Sequence, residues 1–236
     1  MTTPVILDGS RLTIDDVFAV AVRHAPVMLA PSARERAMVT RRHVEGLAGR
    51  NAVAYGITTG FGKLSDVSIP PDRLAELQVN LVRSHASGVG ASLPQREVRA
   101  MMLLRANVIA TGYTGARPEL AELLIEMLNA GLYPSVPEQG SVGASGDLAP
   151  LAHLALSLIG EGELHDAERS GPAARMLENH RLRPVVLGPK EGLVLINGTQ
   201  AHTALAALAV VDAQRLWRVA HIAGAMSLEE IGRAHV

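Results

Sequence analysis

The chain has 236 residues, of which 48% are apolar, and its 22 Lys plus Arg are balanced by 23 Asp plus Glu. This composition supports a sizeable buried core and gives no electrostatic footprint for a nucleic-acid or anionic-membrane partner. Cysteine is absent, which excludes disulfides and thiolate metal sites. There is no secretory signal pattern and no apolar run of about 18 residues, so we expect a cytoplasmic protein outside the membrane.

Most of the sequence predicts α-helices. Their predicted starting points, in chain order, are Ser32, Pro70, Ser92, Pro118, Asp147 and Gly198. Ser32 with Glu35 and Ser92 with Gln95 have the spacing of a capping box, in which two side chains satisfy free backbone donors at a helix start. The helix from Pro118 is expected to end at Gly131. The chain from Gly198 onward is rich in alanine, which lets helices approach closely.

Three glycine-rich loops lie between these helices, at 55–62, 84–90 and 138–146. Residues 161–192 carry many charges and the short apolar run Val185-Val186-Leu187, and we interpret them as a surface excursion with a β-hairpin. The predicted fold class is therefore mainly α, with an N-terminal helical domain whose glycine-rich loops lead into a helical bundle.

The loop that ends in Ala144-Ser145-Gly146 is made almost entirely of the smallest residues and runs directly into a helix. Glycine permits backbone conformations that are closed to other residues, so the Gly146 nitrogen could press against the Ala144 carbonyl carbon. An isolated triplet of this kind is usually only a tight loop before a helix cap, here at Asp147.

The wider segment 140–155 resembles the signature of the aromatic amino acid ammonia-lyase family. The resemblance implies that Ala144, Ser145 and Gly146 cyclise and lose water to give 4-methylideneimidazol-5-one. Ser145 would then become the dehydroalanine that carries an electrophilic methylene, and no external cofactor would be needed. Addition of a substrate amine to that methylene would make the amine a leaving group, which is covalent catalysis.

The loop Tyr55–Gly62 is a second motif. Its glycine spacing fits neither the Walker nor the dinucleotide-binding pattern, so a phosphate site is not indicated. By itself the loop predicts little more than a flexible segment with one packed tyrosine. The family resemblance implies that Tyr55 lies over the site and removes the β-proton of the substrate.

The pair Ser84-His85 follows a predicted helix, where a lone histidine is more often a structural hydrogen-bonding group than a catalytic one. The pair resembles that of the histidine ammonia-lyases, which implies that His85 faces the substrate side chain. A site built for polar contacts rejects an apolar ring strongly. Thr58 is a departure, because many histidine-specific members have Asn there and the phenylalanine and tyrosine enzymes usually have Thr.

The segment Lys190–Ala201 also resembles the family. Without the resemblance it predicts the start of a buried helix, with Asn197 turning the chain. With it, Asn197 lies beside the prosthetic ring and contacts the substrate. The other histidines show no metal-ligand spacing, so no metal site is predicted.

The resemblance covers residues 4 to about 229 and implies deamination of L-histidine to urocanate and ammonia, the first step of histidine degradation, by a cytoplasmic homotetramer. We expect a ring-bearing domain over 1–197 and the start of a central bundle, here truncated, over 198–230. Residues 231–236 back-translate to a sequence like a sequencing-library adapter, so we expect them not to be native. Two alternatives stay open: a tyrosine or phenylalanine ammonia-lyase, and an inactive helical fragment. The 236-residue chain alone is expected to be inactive.

Overall fold

The computed structural model describes residues 3–50, 53–62, 67, 69–143 and 146–233. Ala144, Ser145 and residues 234–236 lie outside the described residues. The described helices are α1 (Ile14–Arg23), α2 (Pro31–Gly49), α3 (Leu74–His85), α4 (Gln95–Ala110), α5 (Pro118–Asn129), α6 (Leu148–Leu158), α7 (Ala173–Asn179), α8 (Glu191–Ile196) and α9 (Gln200–Arg233). The described strands are β1 (Val5–Leu7), β2 (Val27–Leu29), β3 (Val89–Ser92), β4 (Tyr133–Pro134), β5 (Pro137–Gln139), β6 (Glu163–His165) and β7 (Ser170–Pro172). Helix dominates, so the predicted mainly α fold class is confirmed.

The N-terminal unit is a parallel strand pair, β1 and β2, joined by α1. Helix α1 begins with a capping box, in which the Asp16 amide donates to Thr13 Oγ1 at 3.1 Å and the Thr13 amide donates to Asp16 Oδ2 at 3.0 Å. These bonds satisfy backbone donors that a helix start otherwise leaves free. The sequence analysis did not single out this helix, although its cap signal is present in the chain.

Both predicted capping boxes are wrong. Helix α2 begins at Pro31, one residue before Ser32, and no side-chain cap bond forms there. Helix α4 begins after Pro94, also without a side-chain cap, while Ser92 lies in β3 and hydrogen-bonds Ser135 at 2.6 Å. Proline fixes a helical φ and has no N–H to satisfy, so a helix can start at or next to it without a capping side chain.

The remaining predicted helices are present. Proline-rich residues Pro71–Arg73 form a short 3₁₀ turn before α3, and α5 begins at Pro118 as expected. The predicted hairpin in 161–192 exists, but it is formed by β6 and β7, which extend to β4 in one antiparallel sheet. Residues Val185 to Leu187 are not a strand, and Leu187 is instead buried in the core.

Helix α4 is the centre of the core and packs against α1, α5 and α9. Most of its side chains are buried, including Met101, Met102 and Ile109. Two arginines on the same helix, Arg99 and Arg105, are also buried and donate to backbone carbonyls of neighbouring segments. A buried charge needs such partners because leaving it unpaired is very costly.

Helix α9 changes character along its length. Its first turns are buried at Ala204 and Leu208, whereas large apolar side chains after Val211 are exposed. The stretch Glu191–Gly232 is long and apolar enough, by length and composition, to cross a membrane, and the sequence analysis did not pick it out. In its most apolar window 44% of the residues are buried inside the fold, and the core helix of a globular protein meets the same criterion, so this is weak evidence for a membrane span.

Candidate active site

The predicted site segments meet around the six-residue helix α8 and the turn that follows it. The loop that carries Tyr55 packs on α8, because a Cβ added to Gly56 would lie 2.5 Å from Leu193 Cδ2. Helix α3, which ends at His85, is tied to α8 by the Gly192 amide, which donates to Gln78 Oε1 at 2.9 Å. Two segments far apart in sequence are therefore held on one short helix.

A buried carboxylate fixes the start of α8. Glu191 accepts hydrogen bonds from the Arg117 side chain at 2.6 and 2.9 Å and from the Gly188 amide at 2.7 Å, and Arg41 lies 3.4 Å away. Burial by itself raises the pKa of Glu191, but the donors from Arg117 and Gly188 outweigh it and hold the pKa below its ordinary value. Glu191 is therefore charged at neutral pH.

The turn after α8 lies directly against the end of the loop that carries the predicted ring-forming triplet and ends at Gly146. This loop is called the ring loop below. A Cβ added to Gly146 would lie 3.0 Å from the Gly198 nitrogen and 3.2 Å from Asn197 Oδ1. The φ of Gly146 is +154°, which L side chains rarely adopt. The next amide, that of Asp147, donates to the Gly198 carbonyl at 2.7 Å. The structure thus brings Gly146 and Asn197 together, whereas Ala144 and Ser145 lie outside the described residues.

Asp147 joins the ring loop to the start of α9. Its side chain is fully buried and makes no cap bond to its own helix. It accepts instead from Ser141 Oγ at 2.7 Å and from the His202 amide at 3.0 Å, and His202 Nδ1 also contacts it. The sequence analysis missed His202, although its place in the helix directly after the Asn197 motif was an available signal.

Arg105 supports the turn from the opposite side. Its guanidinium donates to the Val194 carbonyl and, at 3.2 and 3.3 Å, to the Asn197 carbonyl. Burial lowers the pKa of Arg105 to about 10, while the charge of Asp147 opposes that shift. The side chain therefore stays protonated at neutral pH. The sequence analysis assigned no role to Arg105.

His85 lies at the C-terminal end of α3 and is half-buried, next to the exposed Ser84. Its Nδ1 lies 2.9 Å from the Leu81 carbonyl oxygen and 3.1 Å from Ser84 Oγ. A carbonyl oxygen can only accept, so Nδ1 is the protonated nitrogen when the ring is neutral. Nε2 then carries a lone pair and is able to accept a hydrogen bond.

The segment after His85 runs beside the start of the ring loop. The Gly88 amide donates to His153 Nε2 of α6 at 3.1 Å. Strand β3 pairs antiparallel with β5, which leads into residues 140–146. A Cβ added to Gly140 would lie 3.0 Å from Gly88 Cα, so the two backbones are in close contact.

Tyr55 is 58% exposed, and its ring makes an edge contact with Phe61 at a centroid distance of 6.0 Å. In the part of the chain that the structure describes, no hydrogen bond or ring contact joins Tyr55 to Gly146, Asn197 or His85. Its connection to the site is through the seating of its loop on α8.

Thr58 is buried within the Tyr55 loop rather than on its surface. The Ala54 amide donates to Thr58 Oγ1 at 3.0 Å, and the Ile69 amide donates to the Thr58 carbonyl at 2.9 Å. The hydroxyl therefore helps to hold the shape of the loop, and a role for Thr58 in this structure does not require contact with substrate.

The residues that flank the predicted triplet fit a compact group built from the backbone. Gly143 has a φ of +65°, and a Cβ there would lie 3.2 Å from the His202 ring. Gly146, the last residue of the triplet, leaves no room for a side chain, because a Cβ there would lie 3.0 Å from the Gly198 nitrogen. Within the described ranges, buried Gln200 Oε1 has no hydrogen-bond partner, and no cluster of three or more His, Cys, Asp or Glu is placed to hold a metal ion.

Residues 12–233 match the family model described as aromatic amino acid lyase. The histidine ammonia-lyase of Anaeromyxobacter dehalogenans (strain 2CP-C) is 52% identical over 237 residues, which cover 98% of this chain and 47% of the relative. Histidine ammonia-lyase from Trypanosoma cruzi has a TM-score of 0.86 at 40% identity, over 92% of this chain and 42% of that one. Tyrosine aminomutase from Streptomyces globisporus has a TM-score of 0.83 at 41% identity, over 87% and 39%. The chain spans about half the length of the curated relatives it matches.

Proposed function

Because this chain belongs to the aromatic amino acid lyase family, we propose that it is the ring-bearing part of a histidine ammonia-lyase. The complete enzyme converts L-histidine to urocanate and ammonia, the first step of histidine degradation, as a cytoplasmic homotetramer. The observation that carries the proposal is the packing of Gly146 against Asn197 and Gly198. This contact sets the expected ring-forming residue beside the expected substrate-contacting one.

We propose that the prosthetic group, 4-methylideneimidazol-5-one, forms from the chain itself. The Gly146 nitrogen bonds to the Ala144 carbonyl carbon, whose oxygen leaves as water with the amide hydrogens of Ser145 and Gly146. Ser145 then loses its hydroxyl and its Cα hydrogen as a second water. The group supplies an electrophilic methylene that makes the substrate amine a better leaving group.

The described residues around Gly146 prepare this chemistry. Asp147 bonds Gly198 through its amide and the first turn of α9 through its carboxylate. These two bonds restrain the backbone directly after the triplet. The N-terminus of α6 begins immediately after, and its positive end favours negative charge that develops nearby. Asn197 is exposed at the turn, where a bound substrate can reach it. Tyr55, on the loop packed against α8, is the proposed base for the β-proton.

The proposed substrate follows from His85. Its Nε2 can accept the N–H of a substrate imidazole, whereas a phenyl ring offers no donor and would leave the acceptor unpaired. The phenol of tyrosine does carry a donor, so tyrosine is the closer competitor. The similarity to a tyrosine aminomutase is the observation that supports this second candidate. An aminomutase moves the amino group within its substrate, so release of ammonia separates the two reaction types.

The test uses the chain joined within α9, after Glu230, to the C-terminal half of the Anaeromyxobacter dehalogenans relative. We expect an intact mass about 36 Da below the encoded value, from the loss of two waters, and release of urocanate and ammonia from L-histidine. Ser145→Ala should abolish the mass loss and the turnover together. Coumarate from L-tyrosine in place of urocanate would assign the second candidate, and a folded protein of unchanged mass would overturn the proposal.

A further inference from the structure

Arg105 is a buried arginine, and the hydrogen-bond acceptors found for it among the described residues all belong to one turn of the site. It is 1% exposed, and its guanidinium bonds the carbonyls of Val194 and Asn197, the last turn of α8. The planar guanidinium presents several donors in a fixed arrangement, so two carbonyls bound together fix both position and direction. The backbone at Asn197 is thereby held from the side of α4.

Gly198 lies between Arg105 and the ring loop. A Cβ on Gly198 would clash with the Arg105 guanidinium, so glycine lets the cation approach the turn closely enough to reach the Asn197 carbonyl. On its other side, Gly198 accepts the Asp147 amide at 2.7 Å and lies against Gly146. A displacement of Arg105 would therefore be passed through one backbone turn to Gly146.

The charge of Arg105 is compensated across the same turn. In the described part of the chain Arg105 forms no ion pair within 4 Å, but the buried carboxylate of Asp147 stabilises its charged form. The charge of Asp147 therefore offsets part of the cost of burying Arg105. The Arg105 guanidinium and the Asp147 amide both bond the backbone of the Asn197–Gly198 turn.

Arg99 provides a matched comparison on the same helix. It is equally inaccessible and also donates only to carbonyls, those of Val20 at 3.0 and 3.3 Å and of Leu128 at 3.0 Å. These acceptors belong to α1 and α5, not to the turn at the site. Loss of Arg99 should therefore weaken the fold without a specific effect at Gly146.

We propose that Arg105 is a positioning residue that holds the Asn197–Gly198 turn against Gly146, and so sets the geometry for ring closure and for the contact of Asn197 with substrate. This rests on the proposed function. Lysine cannot reproduce the two-carbonyl arrangement, because its ammonium is a single point on a flexible stem. A misplacement on the order of 1 Å at a reacting group can cost about a hundredfold in rate.

The experiment compares Arg105→Lys with Arg99→Lys, and Arg105→Met with Arg99→Met, in the chain completed with the relative's C-terminal half. For both Arg105 variants we expect slower appearance of the mass loss and a kcat at least about tenfold lower per ring-bearing chain. The Lys variant should be the less affected of the two. Both Arg99 variants should reach the full mass loss, with kcat within about threefold of the parent. This should hold even if their Tm falls as much as that of the Arg105 variants.

A second readout does not depend on catalysis. In the 236-residue chain itself, amide hydrogen exchange at Asp147 reports its bond to Gly198 and should be faster in Arg105→Lys than in Arg99→Lys. Equal exchange and equal mass loss in the two Lys variants would overturn the role of Arg105. If the parent protein keeps its encoded mass, the proposed function is contradicted instead. The exchange rates would still show whether Arg105 holds the turn.

Discussion

Glu191 illustrates how single residues fix the site from a distance. It lies at the start of α8 and contacts neither Gly146 nor His85, yet it binds the chain at Arg117, at Arg41 and at its own preceding turn. Breaking a buried ion pair by removing one partner leaves an uncompensated charge. The Glu191 carboxylate is therefore one of the contacts that hold α8, together with those of Gln78 and Arg105.

We predict that Glu191→Gln lowers the free energy of unfolding by about 3 kcal/mol at neutral pH. Because the folded-state pKa of Glu191 lies below its ordinary value of 4.5, this contribution is fully present above about pH 4.5. It is lost as the pH falls further, through the folded-state pKa. Urea unfolding of both proteins between neutral pH and about pH 3 measures this difference.

Glu45 is the control, because it pairs with the same Arg41 at 2.8 Å but is half exposed. Glu45→Gln should cost less than about 1 kcal/mol. A Glu191→Gln loss of the same size at every pH would contradict the assigned cause.

Some site residues could be identified from the sequence motif around them, and others could not. Gly146 and Asn197 stand in distinctive motifs and lie in contact in the structure, while their roles stay predictions. Arg105 could not be assigned in this way, because its partners are backbone carbonyls far away along the chain. His202 lies directly after the Asn197 motif, but its contact with Asp147 depends on the tertiary structure. Arg99 and Arg105 lie among the apolar residues of α4 and were a visible signal, since a buried arginine needs specific partners. Which carbonyls they bind is a property of the tertiary structure.

At the scale of elements, most predicted helix starts agree with the structure. Helix α5 begins at Pro118 and α6 directly after Asp147, while α3 and α9 begin within a few residues of Pro70 and Gly198. The capping signals failed where proline offered another way to begin a helix. Helix α8 is only six residues long, too short for periodicity to reveal its bounds, and its position depends on tertiary contacts with Gln78, Arg105 and Arg117.

Thr13, which caps α1, and Ser32, which forms no cap bond at the start of α2, allow a direct comparison. Thr13→Ala should lower the free energy of unfolding by about 1 kcal/mol, because it removes the acceptor for the Asp16 amide. Ser32→Ala, after a proline start without a cap bond, should change it by less than about 0.5 kcal/mol. Chemical denaturation of both variants checks this, and equal losses would show that the observed cap at Thr13 has no special weight.

For the whole molecule, the outer part of α9 is the most conspicuous surface. Its large apolar residues are 61% to 71% exposed: Leu216, Trp217, Val219, Ile222, Met226 and Leu228. A helix in a globular protein normally buries this much apolar surface against other elements. Exposed patches of this kind mark an interaction surface or an aggregation liability.

We predict that the 236-residue chain self-associates through this part of α9. Sedimentation velocity should show an average mass that rises with protein concentration. A triple variant, Leu216→Glu with Ile222→Glu and Met226→Glu, should shift the chain toward monomer, because charges on each contact surface repel. Tyr113→Glu, at an exposed position outside α9, should leave the association unchanged. Monomer at all concentrations for the parent chain would contradict the prediction.

The same helix has a mechanical consequence. With 34 residues it is about 50 Å long, and its first turn bonds Asp147 through the His202 amide. A partner that binds the outer half of α9 would therefore affect the tilt of the whole helix. Contacts at the outer end of α9 can thus shift its first turn, which bonds Asp147 next to Gly146.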